Sequence, residues 1–379
     1  MNARNAAILV ALLVVLGVGA LIYQRFDRAS APSNAAALGQ PVLKSFKAAD
    51  VAAIALVEPG ARLTLEKHGD RWTIKERAGF PASFEKVREF VLKMLELKIG
   101  QTDAIGDADR GRLRLLEPGV AAPKEGAGTL IEFRAADGKP LARLIVGKKY
   151  FKSTPEDADK AAGDGRFVLV PERASTVYVV GDTLAQASAK SALWVSGAGI
   201  APEKVKTLEL RYPDSSGWRV SRTGDNNDWR LDGIASGEKL DFTKPNSASY
   251  SLGRLSVADV APPGTKPEEA GLDKPTVVSL TTLDGLSYSI RLGKEEGPNR
   301  YAKIEVGGTA LKVRAPEPRE TAEDKARRDK DFEERVKKIA ERLAAEKGLA
   351  DYILLVPKSS LDQDVLKKRT ELLEPKNRN

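Results

Sequence analysis

The sequence predicts an α+β protein made of two tandem homologous domains, each a mainly antiparallel sheet with packed helices. Two repeated patterns carry this prediction. A polar turn followed by Trp and alternating strand-type residues occurs at 68–74 and again at 225–231. A strand, an Asp-Gly turn and a second strand ending in Gly-Lys occur at 129–148 and again at 276–294. Internal repeats of this size indicate a duplicated structural unit, and strands joined by short Asp-Gly turns pair in antiparallel order.

The composition supports two globular domains and excludes several classes of site. The 379 residues are 42% hydrophobic and 30% charged, which suffices for two hydrophobic cores. The net charge of +8 is spread along the chain and lacks the clustered basic footprint of a nucleic-acid-binding protein. The chain has no Cys and one His, His68, so thiolate and multi-histidine metal centres are excluded. We expect no metal, no cofactor and no nucleic-acid partner.

The N-terminus has the pattern of a membrane anchor. Residues 6–23 are almost entirely apolar and carry no charge, close to the roughly 17–25 residues of a membrane-spanning helix. The polar and aromatic residues that follow make a poor signal-peptide cleavage site, which favours an uncleaved anchor over a cleaved signal. We therefore predict a transmembrane signal anchor at 1–26, then a flexible Ala-, Ser- and Pro-rich linker at 27–41. Charge alone leaves the membrane orientation open.

The first domain is assigned to residues 42–196. Ser83 is expected to cap a helix that ends at Gly100, and a second helix at 182–194 closes the domain. Alternating apolar residues predict the strands. These are a hairpin turned at 68–70, paired strands at 129–134 and 141–146, and strands at 166–170 and 177–180.

The second domain is assigned to residues 203–379, after a Gly- and Ala-rich linker at 197–202. It repeats the pattern of the first domain, with a softer Ser-rich helix at 243–255 and with Leu311 at the position of Val177. A charged helix at 320–347, free of Gly and Pro, looks like an insertion. A final strand at 351–356 and a final helix at 361–373 follow it.

Two sets of side chains are candidate contact residues. The inserted helix carries one apolar stripe at helical spacing, which suits a narrow contact with a partner subunit. The stripe consists of Phe332, Val336, Ile339 and Leu343. Trp72 and Trp229, one in each copy of the hairpin, could stack on a ligand, although aromatic residues in hairpins are more often core anchors.

The sequence carries no convincing catalytic motif. Ser83 and Lys86 have the Ser-x-x-Lys spacing of penicillin-recognising enzymes, but the partner motifs are missing and helix capping explains the serine. The nucleotide-binding P-loop pattern is also missing. His68 lies in a tight turn without an evident carboxylate to orient it, and the Asx residues at 225–228 fit a hairpin turn better than a calcium loop. No enzymatic activity is therefore expected.

The order of these motifs resembles a known bacterial family. The motifs are the membrane anchor, the Trp hairpin, Gly271-Leu272-Asp273-Lys274-Pro275, the Asp-Gly hairpin ending in Gly-Lys, and the aromatic-led strand. Together they are similar to the domain-of-unknown-function family 4340. The first copy departs from the pattern, because Leu115-Leu116-Glu117-Pro118 lacks the glycine. The resemblance implies an envelope protein encoded beside gliding-type ABC transporter genes, and it transfers no catalytic residue.

The resulting expectation is a non-catalytic accessory subunit of an ABC-type transport or gliding-type system. The resemblance implies a single-pass protein of the bacterial inner membrane, with the bulk of the chain in the periplasm or otherwise outside the cytoplasm. Its partners would be the transporter permease and other auxiliary subunits. The alternative is a free-standing envelope module that binds a cell-wall or polysaccharide ligand in a groove between the two copies. A hydrolase remains open if acids cluster in a cleft.

Overall fold

The chain folds into an α+β structure with two large antiparallel sheets and few helices, as predicted. The computed structural model describes residues 37–44, 46–120, 125–153, 155–157, 160–161, 163–225, 228–311, 313–314 and 320–375. These residues divide into two compact units. The first unit contains the described residues up to Thr64 together with Arg88–Ala189, and the second contains Leu65–Val87 together with those from Lys190 onward.

The predicted anchor at 1–26 and most of the predicted linker at 27–41 lie outside the described residues. Within the part of the chain that is described, no helix is both long enough and apolar enough to cross a bilayer. The end of the linker range is held to the first unit. The Gly39 amide donates to the Ile99 carbonyl at 2.8 Å, and the Ile99 amide donates to the Gln40 carbonyl at 2.9 Å.

The first sheet has nine strands in the order β4-β3-β2-β1-β6-β7-β8-β9-β5. The strands are β1 Ala53–Glu58, β2 Ala61–His68, β3 Arg71–Ile74, β4 Phe80–Pro81, β5 Gln101–Ala104, β6 Thr129–Arg134, β7 Pro140–Tyr150, β8 Gly165–Leu169 and β9 Thr176–Val180. The hairpin of β2 and β3 turns at Gly69 and Asp70, where the sequence predicted it. Gly69 has a φ of +62°, a conformation that glycine adopts without steric cost.

The second sheet has eight strands in the order β12-β11-β10-β14-β15-β16-β17-β13. The strands are β10 Val205–Arg211, β11 Gly217–Ser221, β12 Arg230–Leu231, β13 Asp259–Val260, β14 Thr276–Thr282, β15 Leu286–Glu296, β16 Asn299–Gly308 and β17 Leu354–Pro357. The Asp-Gly turn predicted at 284–285 joins β14 to β15. Its counterpart at 137–138 joins β6 to β7.

The two sheets have the same strand order once β4 is set aside. In each sheet the first strand of the copy, β1 or β10, lies beside the long hairpin. Each sheet ends on a short edge strand, β5 or β13, that pairs with the last strand of the copy. The pairing registers correspond as well. Equivalent pairs are Thr129 with Val146 and Thr276 with Leu292, then Lys149 with Arg166 and Glu295 with Arg300, then Gln101 with Val179 and Asp259 with Leu355.

The helices are few and vary in length. They are α1 Phe84–Glu96, α2 Asp107–Arg112, α3 Thr243–Leu252, α4 Ala322–Lys347 and the single turn α5 Lys358–Ser360. Ser83 Oγ accepts a bond from the Lys86 amide at 3.4 Å, which confirms the predicted cap of α1. The helix ends at Glu96 and not at Gly100, because the Leu97 carbonyl bonds the Val42 amide at 2.8 Å and leaves the helical pattern.

Three sequence-based predictions of local structure were wrong. Residues 182–194 form bends and a short 3₁₀ turn, because the Asp182 carboxylate accepts from the Leu184 amide at 2.7 Å and Leu184 takes a φ of +49°. The predicted helix at 361–373 consists of a π turn and a 3₁₀ turn. Leu311 does not take the place of Val177, since that position in the second sheet belongs to β17.

Candidate functional site: the helix groove of the second unit

The inserted helix α4 is the most distinctive element of the second unit. Thr321 caps it by accepting a bond from the Asp324 amide at 3.1 Å, and acidic residues fill its first turn. No Gly or Pro interrupts the helix before Lys347. The structure therefore confirms the long helix expected at 320–347, with bounds that differ by two residues at the start.

The apolar stripe of α4 faces its own unit. Ile339 is 4% exposed, and Phe332, Val336 and Leu343 are partly buried. The helix packs against β16 and against the turn that follows its own C-terminus. Much of the stripe is thus already in contact within the chain, and Phe332, near the N-terminal end, is the stripe residue that lines an open groove.

A buried carboxylate fixes the C-terminal half of the helix. Glu346 is 3% exposed and accepts bonds from the Ala201 amide at 2.8 Å and from the Tyr288 hydroxyl at 2.9 Å. Arg342 approaches the same carboxylate at 3.7 Å. Burial, together with the negative charge of Glu346, raises the pKa of the Tyr288 hydroxyl, so this tyrosine stays a donor. The carboxylate is satisfied and therefore structural.

A second buried carboxylate holds the middle of the helix. Asp284, from the repeated Asp-Gly turn, is 4% exposed and accepts a bond from Arg335 at 2.5 Å. The Asp284 carbonyl accepts from the Leu311 amide at 3.1 Å, so the same residue also positions the chain after β16. The sequence identified Asp284 as a turn residue but gave no sign that it anchors α4 through Arg335, 51 residues further along the chain.

The helix groove lies between the N-terminal half of α4 and the chain after β16, with a volume of about 530 Å³. Its lining residues are Lys204, Asp225, Leu283, Asp284, Leu311, Val313, Arg314, Arg328, Asp331, Phe332 and Arg335. Leu311 and Val313 are 49% and 79% exposed, high values for aliphatic side chains. Sequence reasoning identified Phe332 but missed these two residues, because they lie in no regular element.

Most charges in the helix groove are neutralised inside the unit. Arg314 pairs with Glu320 and, at 3.1 Å, with Asp329. Arg328 pairs with Glu320 at 3.3 Å. Lys204 and Asp331 have no ionic partner among the described residues and carry opposite charges. The groove is therefore close to neutral and suits an apolar occupant.

His68 and the Asx turn at 225–228 are the candidates for acid–base or metal chemistry that the sequence offers. No group of three or more His, Asp or Glu side chains that could hold a metal ion occurs in the part of the chain that the structure describes. The His68 side chain is 64% exposed and lies 3.8 Å from Glu66, on the hairpin surface. At the predicted Asx turn, Asp225 pairs with Arg222 at 3.1 Å, while residues 226 and 227 lie outside the described residues.

The two candidate stacking residues are buried. Trp72 is 6% exposed and Trp229 is 3% exposed. The Trp229 indole donates to Asn246 Oδ1 at 2.8 Å, and the Arg222 guanidinium lies 4.6 Å from its ring centroid. The remaining two of the four tryptophans, Trp194 and Trp218, are equally buried. The indoles are core anchors and offer no open face to a ligand in this structure.

Comparison with known proteins gives one result. The sequence matches the family described as Domain of unknown function (DUF4340) over residues 72–275, which is more than half of the chain. No curated protein matches it significantly. No solved structure matches it significantly either.

Proposed function

The chain belongs to the family of domains of unknown function DUF4340, and from this premise we propose that it is a non-catalytic, membrane-anchored accessory subunit of an ABC-type transport or gliding-type system. In this proposal a helix at residues 1–26 anchors the chain in the inner membrane and the rest lies outside the cytoplasm. The apolar run at 6–23 supports the anchor. The permease and other auxiliary subunits are the proposed partners.

The helix groove is the observation that carries this proposal. The groove presents the exposed aliphatic side chains of Leu311 and Val313 beside the partly buried Phe332, and most of the charges around them are paired within the unit. Such a surface suits an apolar segment of a partner protein. The walls are held by Glu346 and Asp284, so little ordering is needed on binding. The groove would therefore bind one apolar loop or helix end of a membrane-bound partner subunit.

We also propose that the two sheets arose by duplication, as the sequence repeats suggest. The common strand order and the matching pairing registers support this view. Helix α4 interrupts the pattern only between β16 and β17, the strands that correspond to β8 and β9. An element added to one copy alone is a reasonable place for a function that the shared scaffold does not supply.

Site-specific crosslinking tests the proposed partner. The chain lacks Cys, so Val313→Cys introduces a single thiol at the helix groove. Ile234→Cys is the matched control, an exposed aliphatic side chain of the same unit away from the groove. At native expression in membranes, a thiol-reactive photocrosslinker at position 313 should capture a transporter subunit and the control should not. Equal capture from both positions, or capture of no transporter subunit, would contradict the proposal.

The proposed topology has a separate test. Alkaline phosphatase fused after Asn379 should be active, because that enzyme needs the oxidising side of the membrane for its disulfides. A green fluorescent protein fusion at the same position should stay dark if the C-terminus is exported. An inactive phosphatase with a fluorescent partner fusion would reverse the orientation.

The cell-wall or polysaccharide module remains the alternative. Its clearest requirement was exposed aromatic platforms, and the burial of Trp72 and Trp229 removes the two candidates that the sequence offered. Binding of the purified chain to isolated cell-wall sacculi, without any transporter subunit present, would favour this alternative.

A further inference from the structure

The first unit contains a large cleft whose charged lining residues are mostly basic. The cleft has a volume of about 1010 Å³ and lies beside α2, between the start of β6 and the middle of β7. Its charged lining residues are Glu58, Arg112, Arg114, Glu125, Lys148 and Arg166. Four cations and two carboxylates give these six side chains a net charge of +2.

Arg166 is held in place without a carboxylate partner. It donates from Nη1 to the Gly147 carbonyl at 2.9 Å and from Nε to the Thr183 carbonyl at 2.8 Å. No ion pair to it occurs among the described residues. Burial lowers the pKa of Arg166, as expected for a guanidinium that has lost water and gained no counter-charge. Arg166 therefore lines the cleft with a positive charge that no carboxylate of the described residues pairs.

The second unit compensates the equivalent arginine. Arg300 donates from Nη1 to the Gly293 carbonyl at 3.0 Å, as Arg166 does to Gly147. Arg300 also donates to Glu295 at 2.9 Å and lies 3.5 Å from Asp362. Glu295 pairs with Arg300 across the sheet in the register in which Lys149 pairs with Arg166. The basic residue Lys149 of the first unit therefore occupies the position that the acidic residue Glu295 occupies in the second unit.

A second difference adds another cation to the same cleft. The Lys148 amide donates to the Leu113 carbonyl at 2.9 Å, and the equivalent Lys294 amide donates to the Ala270 carbonyl at 3.0 Å. Leu113 and Ala270 therefore correspond. The residues that follow them, Arg114 and Gly271, correspond as well. Arg114 has a φ of +56° and Gly271 a φ of +68°. A long charged side chain at a position shaped for glycine is a backbone outlier that points to function. Arg114 and Lys148 are exposed and have no ion pair among the described residues.

We propose that this cleft of the first unit binds a phosphate group, carried either by a small solute or by a lipid headgroup. Guanidinium groups match the geometry of phosphate oxygens, and Arg114 and Arg166 supply two of them. Lys148 adds a point charge from the wall of β7. Arg112 is partly committed, since it pairs with Asp109 at 3.0 Å. The two carboxylates, Glu58 and Glu125, favour a single phosphate group over a polyanion that would extend past them.

Calorimetric titration of the full chain in non-ionic detergent tests the site. The probes are inorganic phosphate, glycerol 3-phosphate and short-chain phosphatidylglycerol, with short-chain phosphatidylcholine as the zwitterionic control. Binding of the soluble phosphates assigns a solute, and binding of phosphatidylglycerol alone assigns a lipid headgroup; both support the proposal. Binding of none of the phosphate probes, or equal binding of phosphatidylcholine, overturns it.

Two variants locate the site and one controls for charge. Arg114→Gly installs the residue of the second unit, so it should fold, and Lys148→Gln removes an exposed charge. Each should weaken binding about tenfold or more, the effect of one lost charge-assisted hydrogen bond. Lys294→Gln, the same change at the equivalent place in the second unit, should leave the affinity unchanged. Equal losses at positions 148 and 294 would show that only the overall charge matters.

Discussion

Replacing Arg114 by Gly should stabilise the protein, although the change removes a whole side chain. A non-glycine residue in the left-handed region costs about 1–2 kcal/mol. Glycine adds about 0.4–1 kcal/mol of entropy to the unfolded chain, which opposes the gain. Because the Arg114 side chain is exposed and makes no ion pair among the described residues, we expect a net stabilisation of roughly 0.5–1 kcal/mol.

Gly271→Ala is the matched change in the second unit, and it should have the opposite sign. Gly271 has a φ of +68°, and a Cβ there would lie 2.8 Å from the Lys294 amide nitrogen, closer than real Cβ atoms approach. Left-handed strain and this contact together should destabilise the unit by about 1–3 kcal/mol.

Differential scanning calorimetry of the two variants measures both effects. For units of about 150–250 residues, 1 kcal/mol corresponds to a shift of about 2–4 °C in melting temperature. We expect a rise of about 1–4 °C for Arg114→Gly and a fall of about 2–12 °C for Gly271→Ala. A lower melting temperature for Arg114→Gly would refute the reasoning, because it would mean that the arginine side chain stabilises the fold by more than its backbone strain costs.

Three further predictions concern the docking of α4 and an ion pair of the first sheet. Ile339→Ala should weaken the docking by about 2–4 kcal/mol and expose α4 to limited proteolysis, whereas Lys337→Ala on its exposed face should change little. Tyr288→Phe keeps the ring but removes one hydrogen-bond donor from the buried Glu346 carboxylate. The free energy of unfolding in urea should therefore fall by about 1–3 kcal/mol. An unchanged urea midpoint would mean that water replaces the hydroxyl. The hydrogen bond from Arg134 holds the pKa of Glu132 below its ordinary value. The stability that Glu132 contributes is therefore present above its unfolded pKa of about 4.3 and is lost as the pH falls through its folded pKa. We expect the free energy of unfolding in urea, measured between about pH 3 and 6, to fall less steeply with decreasing pH for Glu132→Gln than for the unchanged protein.

Strands with alternating apolar residues were predictable from the sequence. The strand at 129–134 and the start of its partner near 141 agree with the structure within one residue, because both are rich in apolar residues and flank a strong Asp-Gly turn. Helix α4 was equally clear, since 26 residues without Gly or Pro and with many opposite charges four apart favour one state.

The edge strands could not be predicted, because their neighbours define them. Gln101–Ala104 and Asp259–Val260 are short and mostly polar, and they become strands only by pairing with β9 and β17. Those partners lie more than 70 residues further along the chain, beyond the reach of any local pattern. The same long-range pairing explains why the prediction for Leu311 was wrong. The last strand of the second sheet is β17, which follows the inserted helix and pairs with the edge strand β13.

The candidate site was only half predictable for the same reason. The stripe on α4 follows from helical spacing, but the open groove at Phe332 depends on the chain after β16. Leu311 and Val313 lie outside regular structure, where periodicity carries no information. Likewise, the roles of Glu346 and Asp284 come from hydrogen bonds to residues distant in the sequence.

If the two sheets are copies, as we propose, the residues they share and the residues that differ have separate causes. Gly147 and Gly293 have the same role, because a Cβ at either would meet a carbonyl oxygen within 2.4 Å, and each accepts from the following arginine. This hydrogen bond from arginine to the glycine carbonyl is therefore part of the shared fold. Arg166 makes the same hydrogen bond but lacks the acidic partner that Arg300 has. A half-buried cation without a counter-charge is unfavourable unless a ligand supplies one. The departures from the shared pattern are therefore the positions where function should be sought.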